Sequence, residues 1–199
     1  MKKIYIVLIG IVAVIGLAIV WGIGVRNKLV GLDEQSAEKW SQVESAYQRR
    51  SDLIGNLVKT VQGAADFEKG TFTEVTNARA NAGSVKLNPD ELTEENIAAY
   101  QAAQDRLGSA LNRAITVTVE NYPQLTATQN FKDLQTQLEG TENRINVARQ
   151  NFNEAVRHYN TAIRRFPNSI VANMSGFDKK GYFKSAEGAE NAPEVEFNF

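Results

Sequence analysis

Few side chains in this chain of 199 residues are of types that do chemistry, and their spacing decides how much weight each can carry. The single histidine, His158, has no cysteine and no second histidine to complete a metal site, and Cys is absent altogether. Glu94 and Glu95 are adjacent carboxylates at a predicted helix start, where the helix dipole accounts for them. No HExxH, glycine-rich phosphate loop or nucleophile elbow occurs. The reading is therefore of a non-enzyme with no catalytic, cofactor-binding or metal-binding residue. The polar residues worth following are structural candidates. Arg50 and Glu68 interrupt an apolar stripe, where a charge is costly unless paired and hydrogen-bonded, and Arg50 is expected to pack on the central helix with Glu142, or with nearby carbonyl and amide groups, as its partner. Glu142 and Arg149 share one heptad position, which Val156 and Ile163 continue, and Asn146, Asn153 and Asn160 line the next. Asparagine is a mediocre helix former, so a heptad-spaced row of it points to side chains used for interhelical hydrogen bonds, with a solvated face as the competing reading.

These residues are carried by a predicted helix from Phe131 to Phe166. Phe131, Leu138, Ile145, Phe152, Tyr159 and Phe166 recur every seven residues, and Leu134, Thr141, Ala148, Ala155 and Ala162 recur three residues on. Large layers alternating with small ones call for partner helices at a shallow crossing angle, the packing of coiled-coil-like bundles. A second helical pattern, from a hinge near Gly31 and a start at Asp33 to Asn81, has a stripe that includes Trp40, Val43, Tyr47, Ile54, Leu57, Val61, Ala64, Val75 and Ala78. A third begins with Asn88 as cap, Pro89 first and Glu91 third, or alternatively at Thr93, and runs to Glu120 through Ile97, Tyr100, Leu107, Leu111, Ala114 and Ile115. Pro123 ends it, and Thr126 with Gln129 resembles a capping box that launches the central helix. Beyond Pro167 the helical period is lost. Gly176, Gly181 and Gly188 punctuate this tail, Phe177, Tyr182 and Phe183 are candidate hooks onto the bundle, and Glu194 to Phe199 alternates like a short strand or is disordered.

From Ile4 to Val25 there is no charge, and 22 residues make roughly 33 Å of helix, enough to span a bilayer core. A cleaved signal peptide is the competing reading; Ile19, Val20 and Trp21 stand where a small-residue cleavage site would be. Lys2 and Lys3 on one side and Arg26 and Lys28 on the other leave the orientation undecided. Ala18 and Gly22 form a small pair four apart, a weak sign of helix pairing in the membrane. A net charge of −1 with no basic stripe excludes a nucleic-acid partner by electrostatics. The organisation is a membrane anchor at 1–28 (span 4–25), a helical bundle at 29–167 and an irregular tail at 168–199. The fold class is all-α, an elongated antiparallel bundle of three to four long helices behind an N-terminal transmembrane helix.

The single span, QRRSDLIGNLV from Gln48 to Val58, ENYPQL, TENRINVARQNFNEAVRHYN, and then FP, GF and YF resemble the LemA family of bacterial membrane proteins over nearly the whole chain. One departure is Gly55, where the family often has proline, so a local bend expected there is in doubt. The resemblance implies an antiparallel bundle on a membrane anchor in the bacterial cell membrane, no catalytic residues, and genes often adjacent to those of membrane zinc metalloproteases. Two functions follow as expectations. One is a homo-oligomeric scaffold, with the rod and the tail supplying the contacts. The other is an adaptor or modulator of a membrane metalloprotease or envelope-stress component. Membrane lipid is the remaining partner, through the N-terminal helix.

Overall fold

The computed structural model describes residues 2–64 and 69–184, and side chains from residue 3 to 63 and from residue 72 to 184. The elements are α1 (Lys2–Ala64), α2 (Lys69–Ser84), a 3-10 turn (Pro89–Glu91), α3 (Glu94–Asn121), the single turn α4 (Pro123–Thr126), α5 (Gln129–Arg164) and α6 (Asn168–Ser175). The described residues are helical or irregular, with no strand. α1 pairs with α5 and α2 with α3, and α6 leans on both α1 and α5. Cross-helix bonds give the directions: Arg50 of α1 reaches Gln104 of α3 and Glu142 of α5, and Arg79 of α2 reaches Ser51 of α1. Together with the hydrophobic clusters they place α1, α2, α3 and α5 in an up-down-up-down bundle.

Three predicted boundaries are corrected. No hinge occurs at Gly31. α1 runs unbroken from the apolar segment into the bundle for 63 residues, roughly 95 Å, because Leu29 and Leu32 pack on either side of Gly31 and offset the small cost of one helical glycine. The stripe read as a single helix to Asn81 is two helices, α1 ending at Ala64 and α2 starting at Lys69, between the weak helix formers Gly63 and Gly70. α5 starts after Thr128, whose hydroxyl accepts from Phe131 N; Thr126 is consumed by α4, where its own hydroxyl donates to Pro123 O at 3.0 Å. Of the two starts weighed for α3, Thr93 is the cap, accepting from Asn96 N at 3.2 Å, while Asn88 and Glu91 close only the 3-10 turn before it. α1 is continuous through Gly55, and the Arg79 guanidinium lies 3.3 Å from where a β-carbon would stand.

The central seam holds from Phe131 to Tyr159, all five large layers being buried, and ends there: α5 stops at Arg164, leaving Phe166 78% exposed. The core divides into three clusters along the axis. One, next to the apolar segment, contains Val25, Leu29, Tyr159, Ile163 and Ala172. The middle one is aromatic, with Trp40, Tyr47, Tyr100, Phe152 and Phe183. The distal one is mainly aliphatic, with Leu53, Ile54, Leu57, Leu107, Leu111 and Leu138. Contrary to the reading of an irregular tail, residues 168–175 form a helix, closed by Gly176 in the left-handed conformation at φ 73°. Glu68, Gly188 and the alternating segment Glu194 to Phe199 lie outside the described residues.

The apolar run of α1 is long enough to cross a membrane, and its side chains from residue 4 to 21 are exposed. The packed core begins at Val25, which belongs to the first core cluster. Removal of residues 1–24 should therefore yield a soluble, helical protein, whereas removal of residues 1–29 also takes Val25 and Leu29 and should cost about 3 kcal/mol or more. Denaturation of the two truncated chains in parallel checks this, and aggregation of the longer one would make the apolar segment part of the fold.

Candidate functional site

Arg50 lies between the aromatic and aliphatic clusters and is 5% exposed. One terminal nitrogen donates to Glu142 Oε2 at 3.2 Å, the other to both Gln104 O and Gln104 Oε1 at 2.9 Å, and the guanidinium carbon stands 5.0 Å from the Tyr47 ring centre. Its Nε makes no hydrogen bond among the described residues. The expected partner Glu142 is present; Gln104, buried on the α3 stripe between Tyr100 and Leu107, was not singled out from sequence. Burial pushes the phenols of Tyr47 and Tyr100 beside this layer upward, so both stay neutral. The layer links α1, α3 and α5 at one height.

The second constellation is where the asparagine row acts. Asn160 donates from Nδ2 to Lys180 O at 2.8 Å and accepts the Lys180 N–H on Oδ1 at 3.0 Å. Asn153 does the same to Phe183, with both bonds at 2.9 Å. Gln101 of α3 repeats the pattern on Lys184, at 3.1 Å and 3.0 Å. Three side-chain amides thus satisfy the backbone of an extended segment, the role a neighbouring strand would play. The row bonds to the C-terminal backbone instead of to another helix, and Asn146 is exposed. Arg149 adds a bond to Lys184 O at 2.7 Å and lies 4.9 Å over the Phe183 ring.

The segment packs beside Trp40. Phe183 stacks on Trp40 with ring centres 6.0 Å apart and meets Phe152 edge-on at 5.6 Å. Lys180 is buried, with Nζ at 3.0 Å from Asp33 Oδ1 and 2.8 Å from Pro89 O. Of the expected hooks, Phe183 is buried, and Tyr182 and Phe177 are partly so. Nothing in the sequence marks Lys180 or Gln101, whose partners lie more than eighty residues away or across the groove. Asn160→Ala should leave the Lys180 N–H and C=O unpaired in a buried setting, a loss of about 2 kcal/mol that hydrogen exchange at the Lys180 amide would report.

His158 is exposed, 3.7 Å from Glu154, and Glu94 and Glu95 lie in the first turn of α3, with Glu94 near Lys179 and Lys184. Among the described residues no cluster of three His, Asp or Glu side chains could hold a metal ion. A sequence profile of the LemA family matches residues 39–197. Magnetosome protein MamQ 2 of Paramagnetospirillum magneticum is 28% identical over 175 residues, 79% of this chain and 64% of the relative. Magnetosome protein MamQ of Magnetospirillum gryphiswaldense is 29% identical over 174 residues, with the same coverage. The chain spans just under two thirds of these relatives' length.

Proposed function

We propose, from the premise that this chain belongs to the LemA family, that it is a non-enzymatic, single-pass protein of the bacterial cell membrane whose bundle serves as a self-associating scaffold. The observation that carries this reading is the unbroken α1. One helix forms both the apolar segment and a wall of the bundle, so no flexible joint separates anchor from rod. Every copy then stands at one height in two dimensions, where weak lateral contacts gain from raised effective concentration. The tail is not free to supply those contacts as far as Lys184, because it is bound in its own groove. They fall to the apolar helix and the polar flanks of the rod. The MamQ relatives carry names that cite the magnetosome and no reaction.

The full-length protein in mild detergent should give a native mass that rises above the monomer across a concentration series. A monomeric mass throughout would sink the scaffold and leave an adaptor of a membrane zinc metalloprotease or envelope-stress component as the better reading.

A further inference from the structure

α5 runs antiparallel to α1, so its C-terminal end returns to the level at which α1 leaves the apolar segment. There Val25 and Leu29 pack with Tyr159, Ile163 and Ala172, which fixes α6 beside that boundary. α6 turns Ala172 inward and, with the residues before it, leaves Phe166, Ile170 and Met174 open at 78%, 50% and 84% exposure. Ile170 and Met174, four apart in α6, share one face of it, and Phe166 lies in the turn that leads into it. Elsewhere outside the apolar run the exposed large hydrophobic residues among those described are scattered valines, Val30, Val119 and Val147, which need no explanation, whereas a grouped set does.

The chain segments that meet at this face carry basic charges only, and the nearest acids, Asp33 and Asp178, lie just beyond them beside Tyr159. Arg26, Lys28, Arg164 and Arg165 are exposed, and neither residues 2–32 nor residues 161–175 contain an acid. Asp33, the first acid after the apolar run, is engaged by Lys180. Apolar side chains at the level of the bilayer boundary, with basic side chains on both chain segments that meet there, have the composition of an interfacial surface. We propose that Phe166, Ile170 and Met174, with Arg26, Lys28, Arg164 and Arg165 around them, seat on the surface of the bilayer that α1 enters. The apolar side chains lie at the boundary of headgroups and acyl chains, and the cations meet anionic lipid headgroups. The bundle is then held to the membrane at two places, which fixes its tilt and rotation as one helix alone does not. The proposal rests on the anchor reading and not on self-association.

The absence of cysteine makes a single introduced thiol unique. In the full chain, Met174→Cys carrying an environment-sensitive fluorophore is compared with Val14→Cys in the apolar run and Thr136→Cys toward the distal end of α5. Each is placed in nanodiscs of phosphatidylcholine with or without phosphatidylglycerol. With phosphatidylglycerol the probe at 174 should emit to the blue of the probe at 136 and be quenched by lipid carrying a spin label. Arg164→Gln with Arg165→Gln should lower the ratio of seated to unseated protein about 30-fold, at about 1 kcal/mol for each basic side chain near an anionic surface. A probe at 174 as wet as that at 136, with the probe at 14 dry, overturns the seat alone. A wet probe at 14 overturns the anchor and the seat with it. Shielding at 174 that needs no anionic lipid and vanishes at one copy per nanodisc assigns the face to a second copy and also overturns the seat.

Discussion

Arg50→Ala should destabilise the bundle by about 3 kcal/mol, a fall in Tm of about 8 °C for a domain of this size. The loss has two parts. The Oε1 of buried Gln104 is left without the donor it has at 2.9 Å, and the Gln104 carbonyl loses its second bond. A void also opens between the aromatic and aliphatic clusters, beside Gly108, which supplies no side chain to fill it. The other partner behaves differently. Half of the Glu142 side chain is in solvent, so water replaces the bond in Glu142→Gln, and that change should cost only about 0.5 kcal/mol. Replacing the buried pair together, Arg50→Met with Gln104→Leu, should recover most of the stability, because apolar packing commonly equals a buried polar group. Thermal melts of the four proteins test the set, and Arg50→Ala melting within a degree or two of the parent would place the residue outside the core.

Gly181→Ala should expel the extended segment from its groove. A β-carbon at 181 would stand 2.6 Å from Glu94 Cα, 2.7 Å from Thr93 O and 2.8 Å from Glu94 N, all of them backbone atoms at the start of α3 that cannot turn aside. The conformation at 181 is not the left-handed one, since among the described glycines only Gly176 has a positive φ, so the effect is steric. With the close approach go the bond from Gly181 N to Leu92 O at 2.8 Å and the seating of Lys180 and Phe183. Overpacking against backbone costs about 3 kcal/mol, and exchange at the Lys180 and Phe183 amides should accelerate by about 100-fold, while the distal cluster around Leu57 and Phe131 stays protected. Unchanged exchange at those two amides would mean that α3 yields to the methyl group, and that the clamp is looser than its bonds imply.

The asparagine row shows how far the residues alone could lead. Heptad spacing put Asn153 and Asn160 on one line beside the seam, which marked them as polar side chains kept for a purpose. Their partner was out of reach, because a side-chain amide that bonds a backbone N–H and C=O reads no side chain and leaves no pattern in the segment it holds. The same limit applies to Lys180, an ordinary lysine until Asp33 and the Pro89 carbonyl close around it.

The sequence by itself determined the apolar helix, the central seam, the burial of Arg50 against polar partners and the family, since each is written in composition, period or local motif. Tertiary structure decided the reversal between Ala64 and Lys69, because an apolar stripe continues in phase whether the chain goes straight on or folds back onto α3. It also decided that α1 passes Gly31 without a joint, where packing of Leu29 and Leu32 outweighs a propensity of about 1 kcal/mol. Periodicity reports which face is buried, and only the assembled bundle determines what buries it.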